Sequence, residues 1–161
     1  MDQDTAIKTQ ELVRQFVCFK LDELFLGVDI SDVQEIIHMV PITQIPKSPS
    51  FLEGIINLRG NIIPVVNLSL KFGFHSKKIN KSTRIIVVTL SEMTVGFLVH
   101  EVSEVIRVKS SKISQRPEIV IENINKRFID GVTNIEKDDR LLIIVNFDEV
   151  FSRTELEKVE Q

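Results

Sequence analysis

The chain of 161 residues contains no tryptophan and no tyrosine, and its formal net charge is −3. Barrels that bind single-stranded nucleic acids usually stack bases on exposed aromatic rings. Proteins that bind duplexes usually carry an excess of basic residues. The phenylalanines of this chain lie in apolar, strand-like segments, and its net charge is negative. Neither the exposed rings nor the basic excess is therefore present. An SH3-like RNA- or DNA-binding barrel is therefore kept only as an alternative, and we expect no nucleic-acid partner.

Cysteine is almost absent, since Cys18 is the only one. No internal disulfide can form, which fits a reducing cytosol. In the alternating run QFVCFKL we expect Cys18 to be a small buried hydrophobe. The sequence also lacks an apolar run of ~18 residues and a signal peptide. We therefore expect a cytoplasmic chain with no direct membrane insertion.

Motifs of common catalytic and cofactor sites are missing as well. There is no GxxxxGK[ST] and no GxGxxG. The three histidines share no motif spacing with the cysteine or with a serine, as nucleophilic catalysis would require. They also form no clustered zinc-ligand set. We expect no enzymatic activity, no metal and no cofactor.

The sequence is rich instead in apolar residues that favour strands. It is 43% hydrophobic, with many Ile, Val and Phe residues. Pairs of alternating segments separated by short polar turns predict four hairpins: 15–21 with 24–30, 54–58 with 62–67, 84–90 with 94–99, and 127–135 with 141–147. The capping-box spacing of SDVQ predicts a short helical turn over 30–37.

The order of these strand-like segments is repeated in the second half of the sequence. Four blocks of the first copy have counterparts in the second, in the same order: RQFVCFKL (14–21) with TRIIVVTL (83–90), GVDISDVQEII (27–37) with GFLVHEVSEVI (96–106), FLEGIINL (51–58) with FIDGVTNI (128–135), and VVNL (65–68) with IVNF (144–147). Only the connectors lengthen. We predict an all-β fold with short helices, built by internal duplication from two small five-stranded barrels with a shared core or cleft.

The polar segment HSKKINKST (75–83) has no apolar period and is typical of a linker. We expect a single domain over 14–161, after an N-terminal tail at 1–13. Its predicted parts are subdomain one at about 14–74, subdomain two at about 84–147, and a C-terminal surface helix at 148–161.

The two copies differ at one hairpin turn. The first copy has LRGN, which places Arg59 between Leu58 and Gly60, whereas the second copy has the longer, largely acidic IEKDDR. Strands maintain a fold, whereas loops more often have functional roles. The fold therefore does not require an arginine at position 59. We interpret Arg59 as a recognition residue; the alternative is a solvated or locally paired turn cation. The tight turn itself accounts for Gly60.

These blocks resemble the CheW family of chemotaxis coupling proteins. The resemblance rests on G-x-x-N-L-R-G-x-I-x-P-V in GIINLRGNIIPVVNL and on the upstream I-P-x-x-P, and it runs from about Gln15 to Phe151. It implies two SH3-like β-barrel subdomains and a non-catalytic adaptor. Such an adaptor couples the cytoplasmic tips of methyl-accepting chemoreceptors to the regulatory domain of the histidine kinase CheA, at membrane-associated receptor arrays.

The resemblance also implies which residues bind the receptor. Arg59 matches the family's receptor-contacting arginine, and Glu35 matches an acidic residue near it. Val33 and Ile62 match apolar positions of the same surface. We expect the guanidinium to lie at the rim of an apolar groove, where it pairs with Glu35 or donates to a receptor helix.

The candidate kinase contact lies in a connector that is longer in the second copy, 107–127 against 38–50. The resemblance places a kinase contact near a P-E-aromatic stretch, where this chain has Ile119 in the aromatic position. The candidate kinase-binding residues are Arg116, Glu118 and Ile119. Alternatively, Ile119 and Ile121 cover the end of the second barrel.

The chain departs from the family at Asn67 and His100, where aspartate is common. The pairings that those acids make elsewhere cannot be assumed here. The matching domain of CheA itself, or a fusion of CheW with a receiver domain, would need far more chain. We therefore expect a standalone adaptor.

Overall fold

A computed structural model describes residues 12–75, 78–91, 93–115 and 124–151. No helix within these ranges is long and apolar enough to cross a membrane. The strands of the described residues are β1 (Val13–Leu21), β2 (Leu24–Asp29), β3 (Val33–His38), β4 (Leu52–Leu58), β5 (Asn61–Asn67), β6 (Arg84–Thr89), β7 (Thr94–Val99), β8 (Glu101–Lys109), β9 (Ile129–Ile135) and β10 (Arg140–Val145). The helical elements are α1 (Leu68–Lys71), α2 (Phe147–Val150) and 3₁₀ turns at Ile30–Asp32, Ser110–Lys112 and Lys126–Phe128.

All four predicted hairpins are formed, each as an antiparallel pair of consecutive strands. The short helical turn predicted over 30–37 is present, but it is confined to Ile30–Asp32. Asp29 caps a single 3₁₀ turn, accepting a hydrogen bond from the Ser31 amide at 3.0 Å. From Val33 onward the chain is strand β3, because pairing with β6 satisfies its backbone and suits its β-branched residues.

The strands form two five-stranded sheets, ordered β8-β1-β2-β10-β9 and β3-β6-β7-β5-β4. We call the first barrel 1 and the second barrel 2. Each takes strands from both sequence copies, so the subdomain boundaries expected at 14–74 and 84–147 do not coincide with the barrels. The reason is that the chain changes barrel after β2 and again after β7, so that β3 pairs with β6 and β8 pairs with β1.

The two barrels are related by the duplication. Replacing β1 to β5 by β6 to β10, and the reverse, converts one strand order into the other. The register agrees: Gly27 lies opposite Ile144 in the parallel β2–β10 pair, and Gly96 lies opposite Val65 in the parallel β5–β7 pair. The sequence alignment made the same residues equivalent, so the predicted internal duplication is confirmed.

Each sheet closes on itself through a short bridge that follows its edge strand. In barrel 2 the amides and carbonyls of Thr43 and Ile55 exchange hydrogen bonds of 2.9 and 2.8 Å. In barrel 1 Ser114 and Val132 do the same at 2.8 and 2.9 Å. In each bridge a glycine precedes the bridged strand residue: Gly54 precedes Ile55, and Gly131 precedes Val132. A side chain at either glycine would come too close to the bridging segment.

Apolar residues are buried in three clusters. One fills barrel 1: Phe16, Cys18, Phe25, Val108, Ile135, Leu142 and Ile144. A second fills barrel 2: Ile56, Ile63, Val65, Ile85, Val87 and Leu98. The largest, which we call the shared core, takes residues from both barrels and includes Phe97 stacked on Phe147, with ring centroids 4.1 Å apart. Strands such as β1 and β6 are thus buried on both faces, which explains their unbroken apolar runs.

Cys18 is fully buried in barrel 1, as predicted. Burial raises the pKa of its thiol to about 12, and the nearby Glu104 carboxylate adds to this effect. The thiol is therefore not a nucleophile at neutral pH.

Asparagine caps the short α-helices that follow the β4–β5 and β9–β10 hairpins. Asn67 accepts a hydrogen bond from the Leu70 amide, and Asn146 accepts one from the Glu149 amide. The Asn67 side chain also donates to Glu53 at 2.7 Å. An aspartate could cap the helix but could not donate to that carboxylate, which accounts for Asn67. Of the predicted C-terminal helix 148–161, residues 152–161 lie outside the described residues, as does 1–11 of the tail.

The barrel-2 closure gives a prediction for stability. Gly54 has a φ of +150°, and a Cβ there would collide with the Thr43 carbonyl and come within 2.7 Å of Ile42 Cγ2. We expect Gly54→Ala to lower the free energy of unfolding by about 3 kcal/mol or more, from backbone strain and overpacking.

The matched control is Gly73→Ala, because Gly73 also has a positive φ (+85°) but nothing lies within 4 Å of its would-be Cβ. It isolates the backbone term, for which we expect about 1 kcal/mol. Urea unfolding of both variants makes the comparison. Equal losses would contradict the role given to the closure.

Candidate functional site

Arg59 lies in a two-residue turn between β4 and β5. Leu58 pairs with Asn61 across the turn, and both central residues have positive φ, 52° for Arg59 and 89° for Gly60. This is the type I′ pattern, which favours Asn-Gly rather than Arg-Gly. The Gly60 amide donates to Asn57 Oδ1 at 2.8 Å and holds the turn. Since this backbone conformation disfavours arginine, the presence of Arg59 must be explained by the contacts of its side chain.

The Arg59 guanidinium forms a two-point ion pair with Glu35 on β3. Nη1 donates to Oε2 at 2.6 Å, and Nη2 donates to Oε1 at 2.9 Å. The Arg59 side chain is 72% exposed and that of Glu35 only 21%. β3 and β4 lie at opposite edges of the barrel-2 sheet and meet here because the sheet closes. The hydrogen bond from Arg59 lowers the pKa of the Glu35 carboxyl, and the same contact raises that of the guanidinium.

A groove of about 410 Å³ opens beside this ion pair. Its lining residues come from β3, from the β4–β5 hairpin and from the start of β7: Gln34, Leu58, Arg59, Asn61, Ile62, Ile63, Met93 and Thr94. Ile63 is buried, whereas Ile62 is 63% exposed. The groove is therefore lined mainly by polar surface, with Ile62 as an exposed apolar side chain.

Three of the four candidate receptor residues lie at the groove, and the fourth does not. Arg59 and Ile62 line the groove, and Glu35 holds Arg59 at its rim. Val33 is half-buried opposite Val88 and packs against the shared core rather than in the groove. The predicted contact between Arg59 and Glu35 is formed; whether these residues bind a receptor stays a prediction.

Sequence reasoning missed the part of the groove that the second copy supplies. Met93 and Thr94 reach it because β7 pairs in parallel with β5. No local pattern marks these two residues, and only the strand exchange brings them there. Gln34, also missed, could have been found from the alternation along β3, which exposes Gln34 and Ile36. The candidate kinase residues Arg116, Glu118 and Ile119 lie outside the described residues.

One serine–histidine contact invites comparison with a nucleophilic site. Ser69 Oγ lies 3.0 Å from His100 Nε2, and the Asp22 amide donates to His100 Nδ1 at 3.0 Å. Because Nδ1 accepts, Nε2 carries the hydrogen and donates to Ser69, so it cannot act as the general base. Ser69 is also buried. At this position the chain thus has a histidine that joins the β1–β2 turn to α1.

Three of the aspartates make local contacts that stabilise turns. Asp29 caps its 3₁₀ turn and pairs with Arg14 at 3.1 Å. Asp138 pairs with Arg140 at 2.7 Å, and Asp139 accepts from Asn134 at 3.1 Å. Among the residues that the structure describes, no three His, Cys, Asp or Glu side chains are grouped to hold a metal ion.

Comparisons with known proteins agree on one family. The model of the CheW-like domain matches residues 15–155. The chemotaxis protein CheW of Helicobacter pylori is 34% identical over 143 residues, covering 89% of this chain and 84% of that protein. The chemotaxis protein CheW of Thermotoga maritima is 34% identical over 137 residues, covering 84% and 86%.

A solved structure shows the same arrangement. The scaffolding protein TtCheW of Thermoanaerobacter tengcongensis superimposes with a TM-score of 0.80 at 35% identity, covering 91% of this chain and 93% of that one. The two five-stranded barrels, the NLRG turn and the match over nearly the whole length lead to one conclusion: the chain belongs to the CheW-like family.

Proposed function

We propose that the chain is a non-catalytic adaptor of a bacterial chemotaxis-type pathway, which couples the cytoplasmic tips of chemoreceptors to the regulatory domain of the histidine kinase CheA. Membership of the CheW-like family supports the role in chemotaxis. The observation that carries the proposed receptor contact is the Arg59–Glu35 ion pair at the rim of the groove. The adaptor acts in the cytoplasm and is recruited to membrane-associated receptor arrays. No observation on the described residues favours nucleic-acid binding.

The groove suits one face of an amphipathic helix. Ile62 offers exposed apolar surface, and the polar rim provides hydrogen-bonding groups around it. This is the helix-in-groove mode, in which apolar anchors fill the groove and charged residues set the orientation. We propose that a helix of the receptor tip binds here.

Arg59 keeps donors available for that helix. A guanidinium has five N–H donors, and the two bonds to Glu35 engage one on each terminal nitrogen. Glu35 thus fixes the plane of the guanidinium while most of the Arg59 side chain faces solvent. A preoriented arginine loses less conformational entropy when it binds a carbonyl or carboxylate.

We propose that the kinase contact is made by the segment around Arg116, Glu118 and Ile119, which lies outside the described residues. The support is the resemblance of this connector to the P-E-aromatic stretch near the kinase contact of the family. The proposal assigns receptor and kinase to different parts of the chain, so the two contacts can be tested separately.

The receptor contact predicts that Arg59→Asn weakens binding without loss of stability. Asparagine suits a positive φ better than arginine, so the melting temperature should stay level or rise. We expect the Kd for a receptor-tip fragment to increase about tenfold or more, as for an interface arginine. Calorimetric titration and thermal unfolding measure the two effects.

The matched control is Arg107→Asn, which removes the same charge from an exposed position on β8 of barrel 1. It should leave receptor affinity unchanged. A melting temperature lowered by many degrees in Arg59→Asn would make Arg59 a structural residue instead.

The lowered pKa of Glu35 gives a prediction for pH dependence. A carboxyl whose folded-state pKa is depressed contributes to stability above its ordinary pKa, and that contribution is lost as the pH falls through the folded-state value. The carboxyl resonance of Glu35, followed by ¹³C NMR, should titrate below the usual glutamate range. In Arg59→Asn it should return towards that range. Titration at the same pH in both proteins would mean that the ion pair is not formed in solution.

The kinase contact predicts that Ile119→Glu separates the two partners. We expect a folded protein that binds the receptor-tip fragment as before but joins the CheA regulatory domain about tenfold more weakly or worse. A pull-down with each partner in turn provides the measurement. If Ile119 instead covers the barrel end, the variant will be strongly destabilised, because an ionised side chain would replace a buried one.

A further inference from the structure

The duplication creates in barrel 1 a place equivalent to the groove of barrel 2. The sequence alignment and strand register give the same pairs of equivalent residues: Glu35 with Glu104, Leu58 with Ile135, Asn61 with Arg140, Ile62 with Leu141, and Thr94 with Phe25. The glutamate is retained in both barrels. The two apolar positions stay apolar, but Asn61 and Thr94 of barrel 2 are replaced by Arg140 and Phe25, so the two places differ in what they present.

In barrel 1 this place is filled by Arg140. Its guanidinium carbon lies 4.0 Å from the centroid of the Phe25 ring. Nη2 contacts Asp138 at 2.7 Å and Glu104 at 4.0 Å. Nε is buried and makes no hydrogen bond within the described part of the chain. The guanidinium thus lies over the ring in a cation–π contact.

The two equivalent glutamates therefore lie near arginines whose side chains are oriented differently. In barrel 2 the arginine comes from the turn and extends outward, with 72% of its side chain exposed. In barrel 1 it comes from strand β10 and folds onto the barrel, with 37% exposed. Phe25, at the position of Thr94, is only 5% exposed beneath it. Because Arg140 covers the Phe25 ring and two carboxylates lie nearby, a partner helix has no access to that ring.

We infer that Arg140 closes the barrel-1 counterpart of the groove, so that of these two equivalent places within the described residues only the one in barrel 2 is open to a receptor-type ligand. The closing group is a side chain of the protein itself, held by the Phe25 ring on one side and by Asp138 and Glu104 at its edge. The identity of the excluded ligand, a receptor helix, rests on the proposed function. The closure does not, because it concerns contacts within barrel 1.

The first experiment tests the closure without any receptor. Arg140→Asn gives barrel 1 the residue that barrel 2 has at position 61. A soluble paramagnetic probe then reports the exposure of ring protons by NMR relaxation. We expect the relaxation enhancement of the Phe25 ring to rise at least twofold. Phe16, a fully buried ring of the same barrel, is the internal reference and should not change.

Two further variants keep this experiment decisive. Arg107→Asn removes an exposed arginine from the adjoining part of barrel 1 and should leave Phe25 unchanged. Arg140→Lys retains the positive charge but not the guanidinium that covers the ring. It should therefore raise the relaxation enhancement of Phe25 less than Arg140→Asn does, and it replaces that variant if Arg140→Asn does not fold. An unchanged Phe25 enhancement in a folded Arg140 variant would overturn the inference.

The second experiment tests the consequence for binding. Residues 136–140 are replaced by Arg-Gly-Asn, which recreates the barrel-2 turn after Ile135 and opposite Glu104, together with Phe25→Thr. Calorimetric titration with a receptor-tip fragment should show one site in the parent chain and two in this variant. A version that keeps Phe25 is the fallback if the first does not fold.

The outcomes separate the two proposals. If the parent binds one fragment and a folded variant still binds one, barrel 1 is excluded for a reason other than Arg140, and the inference fails. If the parent binds no fragment, the proposed receptor contact fails, while the paramagnetic experiment still decides whether Arg140 covers Phe25.

Discussion

Burial of apolar surface between the two barrels is the interaction on which the rest of the molecule depends. The shared core includes residues of both barrels and both short α-helices, with Phe147 stacked on Phe97 and tilted against Phe19. Removing one such ring would cost about 3–5 kcal/mol, and the loss would be felt in both barrels at once. Each barrel also has its own apolar cluster, but the face that it turns towards the other barrel is buried by the shared core. The groove, built from β3, β5 and the start of β7, is thereby held in place by packing that lies behind it.

The sequence predicted well whatever depends on neighbouring residues. Alternation and turn chemistry located the four hairpins, and repetition of blocks revealed the duplication. The contact between Arg59 and Glu35 followed from the family resemblance, and the structure contains it. These features are local, or are repeated motifs, so the linear pattern contains the information.

What the sequence could not show depends on strand pairing between distant segments. Continuous barrels at 14–74 and 84–147 would satisfy the same alternation, and only the pairing of β3 with β6 and of β1 with β8 distinguishes them. For the same reason Met93 was not expected at the groove. The helical turn predicted over 30–37 extends only to Asp32. Its capping signal is local, whereas the pairing that makes Val33 to Ile37 a strand comes from residues about fifty positions away.

The strand exchange has a consequence for the history of the chain. Each sequence copy supplies two strands to one barrel and three to the other, so one copy alone cannot complete either barrel. Two identical copies could complete both, by exchanging strands across a twofold axis. A half-length ancestor would therefore have folded as a symmetric, strand-swapped homodimer with two identical turns and two identical grooves. Fusion into one chain removed the requirement that both halves be the same, and thereby allowed the two turns to diverge into LRGN and IEKDDR.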